Sequence, residues 1–353
     1  MAKKGYSRMK KTQPAVQKMQ FTLKSPVGSD SIETRYIDLS QCASLVNRRF
    51  YRQGINWAVS SIRLLSIPVT PGTNVTGFFE ISKLPNTWVM SNAWEKGFRA
   101  WQKMNNEAIA EAGSLRPRFL DFKIYADEQH HAAGSGLNLL PVAPFGAPTV
   151  VGEWDYSTYE IPVSNADPTL PAGNSATRDV VAVGANYVGP GASGNFAVSL
   201  IEGYASSRAL PNIEDPNMPE DASSASGSLA QNWQVALFND GTDQDSEVIQ
   251  DLETQNNKAP YPFENDGVNL DTMYPGGANQ LSGLEWHDVV QIYSSSGVPG
   301  AGVGTQTIKG GNFPCGLIRI DWTPDETNAN LVLQVNLIPG DHRGYLCEPM
   351  TEM

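Results

Sequence analysis

Seven basic side chains and no acidic ones lie within the first 24 residues, a composition suited to binding phosphate groups. They are Lys3, Lys4, Arg8, Lys10, Lys11, Lys18 and Lys24. Counterion release would drive such binding, with little dependence on base sequence. The other 329 residues hold 18 basic and 37 acidic side chains, so they would repel nucleic acid everywhere except near this arm. A solvated tail or a nuclear-import signal is the alternative interpretation.

A second cationic segment, RRFYR at residues 48–52, interleaves arginine with aromatic residues. Guanidinium groups pair with phosphates while aromatic rings stack on unpaired bases, so this segment is suited to single strands. We therefore assign Arg48, Arg49 and Arg52 as candidate nucleic-acid ligands alongside the arm. An ordinary strand edge, with residues alternating between inside and outside, is the competing interpretation.

The residues that could support catalysis or metal binding form no recognisable site. Two of the four histidines lie in DEQHH at 127–131, where neighbouring side chains diverge too far for a joint chelate, so we expect a solvated loop. The acidic run from Asp240 to Glu247 lacks the glycine spacing of an EF-hand, although a loose calcium site at a subunit contact is an alternative. GVPGAGVG at 297–304 lacks the ending of a phosphate loop and is most simply a flexible loop. We expect no catalytic residues, no metal and no cofactor.

The composition favours a turn-rich, all-β protein. Glycine and proline make up about 16 % of the 353 residues, against roughly 12 % in typical proteins. Three cysteines without a CxxC spacing suggest neither a disulfide framework nor a zinc site. No run of about 18 apolar residues occurs, so we expect no membrane association.

Period-two alternation of apolar and polar residues predicts eight to ten strands. FLDFKIYA at 119–126 is the clearest case, and the others are ETRYIDL, NWAVSSIRLLSIPV, GFFEIS, EWDYSTYEIPV, RDVVAVGANYV, NFAVSLIEGY, VVQIYSS, CGLIRIDW and LVLQVNLIPG. Uneven loops between these strands favour an eight-stranded jelly-roll β-sandwich over a barrel or propeller. We divide the chain into a disordered or extended basic arm at 1–28 and a jelly-roll domain at 29–353.

One helix is predicted near 92–112. Asn92 with Glu95 resembles a capping box, and Gly113 lies where a helix terminator is expected. Its aromatic face would pack either on the sheet or on a neighbouring subunit. We name Trp88, Trp94 and Trp101 as candidate subunit-interface anchors.

The segment at about 209–280 contains two acidic stretches that are poor in apolar residues. Long insertions of this kind are uncommon in compact domains unless they are functional or exposed. We expect this insertion on an outer surface, where it could contact a host receptor or glycan.

Three stretches carry a resemblance to a known family. The basic start, LPNTWVMSNAWEKGFRAWQKMN at 84–105, and PCGLIRIDW at 314–322 with LVLQVNLIPGDHRGYLCEPM at 331–350 resemble capsid proteins of circular Rep-encoding single-stranded DNA (CRESS-DNA) viruses. The resemblance implies a structural coat protein that self-assembles into an icosahedral shell in the virion, with assembly in the host cell, including its nucleus. It also implies an arm that packages the single-stranded DNA genome inside the shell.

This sequence departs from the family in its arm, which is lysine-rich and dilute where many such capsids carry a dense arginine run. Arg48, Arg49 and Arg52 could supplement the arm if they face inward. Removal of residues 1–24 is expected to spare assembly and abolish most packaging.

Two other functions compete with this interpretation. A jelly-roll carbohydrate-binding module or hydrolase would use tryptophans such as Trp154 and Trp233 to stack on sugars. A cupin-type metalloenzyme would need a His-x-His spacing, which occurs nowhere in the sequence.

Overall fold

The structure of the protein, a computed structural model, describes eleven ranges of the chain, which contain twelve strands and five α-helices. The ranges are 14–23, 32–68, 74–110, 121–142, 149–162, 175–186, 189–208, 233–237, 283–295, 303–323 and 329–352. The strands are β1 (Lys18–Leu23), β2 (Glu33–Asp38), β3 (Ile55–Pro68), β4 (Asn74–Lys83), β5 (Thr158–Pro162), β6 (Ser175–Val181), β7 (Phe196–Ser199), β8 (Glu285–Ser295), β9 (Gly304–Phe313), β10 (Leu317–Trp322), β11 (Ala329–Leu337) and β12 (Cys347–Pro349). The helices are α1 (Leu39–Asn47), α2 (Trp88–Ala110), α3 (Glu128–Ala133), α4 (Leu200–Arg208) and α5 (Trp233–Ala236).

Eight strands form four antiparallel pairs that are nested along the sequence. The two strands of each inner pair lie between the two strands of the next outer pair. These pairs are β1 with β11, β2 with β10, β3 with β9, and β4 with β8. Two further antiparallel pairings, β11 with β3 and β10 with β4, assemble them into two sheets. The described strands therefore give the orders β1-β11-β3-β9 and β2-β10-β4-β8, and β12 extends the first sheet along the start of β3.

The two sheets enclose one apolar core, as expected for a β-sandwich. Period-two alternation places Phe21 and Leu333 of the first sheet in that core, together with Phe79 and Ile320 of the second. All four side chains are fully buried. Each such side chain contributes about 1.5 to 3 kcal/mol through burial. The prediction of an all-β protein is confirmed in part, because the described fold is mostly β and also contains helices.

The chain between β4 and β8, which includes α2 and α4, builds a second core. Strands β5, β6 and β7 form a small sheet there, in which β6 and β7 run parallel. A Cβ atom on Gly97 of α2 would lie 2.5 Å from Leu200 Cδ2, so this glycine permits the close approach of α4. Part of the predicted outer insertion is also buried here, because Trp233 of α5 has no exposed surface.

The prediction of a single helix is wrong, since five α-helices are described. The long helix α2 begins at Trp88 and not at Asn92, and Thr87 Oγ1 accepts a hydrogen bond from the Met90 amide. Asn92 therefore lies inside the helix, and Gly113 lies outside the described residues.

The strand predicted at 119–126 is also wrong over its described part, 121–126, which forms only a single bridge at Tyr125. A buried side chain replaces the neighbouring strand: Gln53 accepts from the Ile124 amide at 2.7 Å and donates to the Ile124 carbonyl at 3.1 Å. The alternation correctly identified Phe122, Ile124 and Ala126 as buried. Similarly, the strand predicted over NFAVSLIEGY at 195–204 ends at Ser199, where α4 follows.

The predicted arm at 1–28 contains β1. Met19, Phe21 and Leu23 are buried on the first sheet, so removal of residues 1–24 would also remove a strand. Residues 1–13 and 24–31 lie outside the described residues. No helix in the described ranges is long and apolar enough to cross a membrane.

Candidate nucleic-acid interface

The interface depends on the buried carboxylate of Asp38, which begins α1. Its Oδ1 accepts from the Ser40 and Gln41 amides at 2.9 and 3.1 Å, as an N-cap does. Its Oδ2 accepts from Gln53 Nε2 at 3.0 Å and from Trp154 Nε1 at 3.1 Å. Burial raises the pKa of Asp38 to about 7, and these hydrogen bonds oppose that rise. Asp38 thereby fixes α1 to the segments that carry Gln53 and Trp154.

Helix α1 ends at Arg48, whose φ of 53° and ψ of 40° form a left-handed cap. This turn reverses the chain so that Tyr51 points inward and its neighbours point outward. Tyr51 is buried, and its hydroxyl donates to the Arg343 carbonyl at 3.1 Å. Arg48 and Arg52 are exposed, while Phe50 is 36 % exposed. The competing interpretation of a strand edge is wrong, because residues 48–52 form no strand.

The described start of the chain is bound beside this turn. Val16 donates its amide to Asn47 Oδ1 at 3.0 Å, at the end of α1, and its carbonyl accepts from the Tyr345 hydroxyl at 2.7 Å. Arg49 donates to the Pro14 carbonyl at 3.4 Å. The basic arm therefore joins the folded protein next to Arg48 and Arg49.

We call the surface formed by Arg48, Arg49, Phe50, Arg52 and Arg343 the arginine face. Arg343 has a left-handed φ of 51°, and its guanidinium donates to the Phe50 carbonyl. Lys123 adds a cation at 5.7 Å from the centre of the Phe50 ring. Phe50 lines two cavities, of about 440 and 210 Å³. An aromatic ring flanked by planar cations is suited to a strand whose phosphates and bases are both accessible.

The structure brings together three of the ten predicted nucleic-acid ligands, Arg48, Arg49 and Arg52. Lys18 is exposed at the start of β1. The other six, Lys3, Lys4, Arg8, Lys10, Lys11 and Lys24, lie outside the described residues. Sequence reasoning missed Arg343 and Lys123, because their proximity to Phe50 arises only from the tertiary fold.

The α2 tryptophans named as candidate subunit-interface anchors lie in or against the second core. Trp94 is 5 % and Trp101 is 8 % exposed, and both belong to the second core, where they leave little surface for another subunit. Trp88 is half-buried against the same core. Within this core, Trp94 stacks on Phe98 with ring centres 4.9 Å apart. The tryptophans considered for sugar stacking, Trp154 and Trp233, are also buried.

The prediction that DEQHH is a solvated loop is wrong. Residues 128–133 form α3, and His130 and His131 are both fully or almost fully buried. Asp127 caps the helix by accepting from the His130 amide at 3.0 Å, and His130 stacks on Tyr36 with ring centres 4.2 Å apart. His131 Nε2 lies 3.0 Å from Asp179 Oδ2. Local caps and aromatic partners, which a charge pattern does not reveal, therefore bury both rings.

A pH-dependent contribution to stability is expected from His130. Burial lowers its pKa from 6.5 to about 4, so the neutral ring is favoured in the folded state. Its contribution is fully present above pH 6.5 and is lost as pH falls towards 4. Between pH 7 and pH 4, the unfolding free energy of the wild type should therefore fall by about 3 kcal/mol more than that of His130→Gln. Urea unfolding of both proteins across this range measures the difference, and parallel pH profiles would contradict it.

A different part of the molecule is acidic. A cavity of about 810 Å³ is lined by Glu80, Asp127, Glu128 and Asp321, with Arg319 as the only cation among its described lining residues. Arg319 binds Asp127 and Asp321 at 2.9 and 2.8 Å, so its charge is already compensated. Within the described ranges, no group of three or more His, Cys, Asp or Glu side chains could hold a metal ion. The acidic run at 240–247 lies outside those ranges.

One sheet face exposes large apolar side chains. Phe78, Trp286, Val289 and Tyr293 lie on the outward side of the β4–β8 pair, and we call them the aromatic face. Phe78 is 59 %, Trp286 is 56 % and Tyr293 is 57 % exposed. Several large apolar side chains exposed on one face of a sheet mark a candidate contact site.

Comparison with protein-family models, curated proteins and solved structures found no match to this chain.

Proposed function

We propose that the protein is a viral coat subunit, which assembles with copies of itself into a closed icosahedral shell. In this proposal, the basic arm and the arginine face line the inside of the shell and bind a single-stranded DNA genome. The protein acts as a structural component of the virion and not as an enzyme.

The order of the strands supports a jelly roll. Four nested antiparallel pairs, from β1 with β11 to β4 with β8, describe one long hairpin. Rolling this hairpin up generates two four-stranded sheets in which the partners of each pair stay adjacent, and the observed orders have this property. A jelly roll gives a rigid block with flat sides, which can meet neighbouring subunits in a closed shell.

One observation carries the proposed binding of nucleic acid: the arm and the arginine face share one end of the molecule. Val16 is hydrogen-bonded to Asn47 and Tyr345, and Arg49 donates to the Pro14 carbonyl. The arm can therefore deliver a bound strand directly to Phe50 and its arginines. The acidic cavity beside Asp127 would repel the same strand elsewhere.

The aromatic face supports self-assembly. Shell subunits must bury apolar surface against one another, and aromatic side chains dominate the energy of such contacts. Phe78, Trp286 and Tyr293 are the exposed aromatic residues of the described sheets. We assign a second copy of this chain as the partner of the aromatic face.

The binding role of the arginine face is tested by Arg48→Gln combined with Arg52→Gln. Both side chains are exposed, so the fold should be unaffected. Losing two phosphate contacts should weaken binding to a single-stranded oligonucleotide and reduce the slope of log K against log salt by about 1.4. Fluorescence anisotropy at several salt concentrations measures this slope.

The matched control is Arg63→Gln combined with Lys309→Gln, which removes the same charge from exposed positions on β3 and β9. Arg63 lies roughly 26 Å along β3 from Ile55, which follows the arginine face. We expect the control to bind nearly as the wild type does. Equal losses in both double variants would show that net charge alone determines binding, which would contradict a specific role for the arginine face.

A further inference from the structure

The cavity of about 440 Å³ beside Phe50 has the composition of a ligand site, and we call it the Phe50 pocket. Its volume lies within the roughly 300 to 1,000 Å³ that is usual for small-molecule pockets. Aromatic rings supply its apolar walls, from Phe50, Trp94, Phe98 and Phe122. Trp94 and Phe98 stack with ring centres 4.9 Å apart, and Phe122 lies 5.9 Å from Phe98. The walls are therefore held by packing within the folded chain.

Cations line the same pocket. Arg52 and Arg343 both contribute to its lining, and Arg343 is fixed by its hydrogen bond to the Phe50 carbonyl. His342 also lines the pocket, and burial lowers its pKa, which favours the neutral ring. A ligand here would meet aromatic walls together with two guanidinium groups, so it should combine a flat ring with an anionic group.

Trp94 Nε1 is a buried donor of the lining with no hydrogen-bond partner among the described residues. Asp121, the carboxylate of the lining, forms an ion pair with Lys123, whose ammonium lies 3.7 Å from Oδ2. A purely apolar ligand would leave the Trp94 N–H unpaired, at a cost to binding. A ring with an acceptor on its edge fits this lining better.

We propose that the Phe50 pocket receives one unstacked base of a single-stranded nucleic acid, with the adjoining phosphate held by Arg52 and Arg343. This inference rests on the proposed binding of single strands by the arginine face and adds a contact to the base itself. It predicts that affinity depends on the presence of bases and not only on the charge of the strand.

The test compares a single-stranded oligonucleotide with an abasic oligonucleotide of equal length and charge, using fluorescence anisotropy with the full chain. The wild type should bind the base-bearing strand about tenfold more tightly, as expected when a base stacks on aromatic side chains. Thr351→Trp should remove this difference, because Thr351 is an exposed residue of the pocket lining and the larger side chain would fill the pocket. This substitution leaves every charge in place.

Thr307→Trp on β9 is the matched control, since it adds the same side chain at an exposed position outside the pocket lining. It should keep the preference for bases. Phe50→Leu provides a second variant if Thr351→Trp does not fold, and it should also lose the preference, because leucine offers no ring for stacking.

The possible results separate this inference from the proposed function. Equal binding of the two strands by the wild type, or an unchanged preference in Thr351→Trp and Phe50→Leu, would overturn the base pocket alone. Absence of binding to either strand would overturn the base pocket and the proposed function together.

Discussion

A chain in which Trp286 and Tyr293 are both replaced by glutamine is expected to fold normally and to remain unassembled. Both rings are more than half exposed on the aromatic face, so their loss should change the unfolding free energy by at most about 0.5 kcal/mol each. Aromatic residues at the centre of an interface commonly contribute about 2 kcal/mol or more each. The protein concentration required for assembly should therefore rise by at least about 100-fold. Sedimentation velocity over a dilution series measures this change.

Val150→Gln is the control for this double variant. Val150 is 84 % exposed and lies outside the aromatic face, so its substitution should leave assembly unchanged. An assembled Trp286→Gln, Tyr293→Gln protein would show that subunits meet through another surface, and the assignment of the aromatic face would then be wrong.

The second large effect is expected from Asp38→Ala, which should lower the unfolding free energy by about 4 kcal/mol. The substitution removes the N-cap of α1 and leaves the buried donors of Gln53 and Trp154 without their acceptor. Since native proteins are stable by only about 5 to 15 kcal/mol, much of the stability would be lost. Chemical denaturation followed by tryptophan fluorescence measures the change.

The same substitution should weaken binding to single strands, because Asp38 fixes the helix whose end carries Arg48. Asp155→Ala removes a charge from an exposed position near Trp154 and should have little effect on stability or binding. Asp38→Asn keeps an acceptor for the N-cap but places an amide donor against other donors, so its effect should be intermediate. A stable Asp38→Ala protein with normal binding would contradict the structural role given to Asp38.

The sequence predicted the β class well because both sheets bury one face. In β10, for example, the buried Ile318, Ile320 and Trp322 alternate with the half-buried Arg319 and Asp321, and alternation reports a buried face of this kind. Strand β9 was missed since only Ile308 and Phe313 of its ten residues are buried, and its remaining residues are polar or glycine. Backbone pairing with β3 holds β9 as a strand although its composition does not favour one. Tertiary context here overrides strand propensity.

The helices show the same limit of local pattern. The sequence pattern favours Asn92 with Glu95 as the cap, because they resemble a capping box, whereas Thr87, five residues earlier, caps the helix. The DEQHH segment is predicted to be a solvated loop because its adjacent histidines diverge too far for a joint chelate, although Asn138 Oδ1 lies 2.7 Å from His130 Nε2 and Asp179 lies beside His131. Buried polar residues of this kind are recognisable only once their partners are known.

For the candidate interface, sequence reasoning found the arginines of one turn and missed the surface that they share. RRFYR stands out because three arginines and two aromatic residues occur within five positions. Arg343 has no such signal, since it reaches Phe50 only through the packing of Tyr51 against the turn at 342–345. The anchoring of Pro14 and Val16 beside Arg49 is likewise a property of the fold.

Negative-stain electron microscopy of the purified full-length chain tests the central claim most directly. If the protein is a coat subunit, the images should show closed particles of uniform diameter at micromolar concentration. Single subunits under all conditions of salt and pH would contradict self-assembly, and with it the function proposed for this chain.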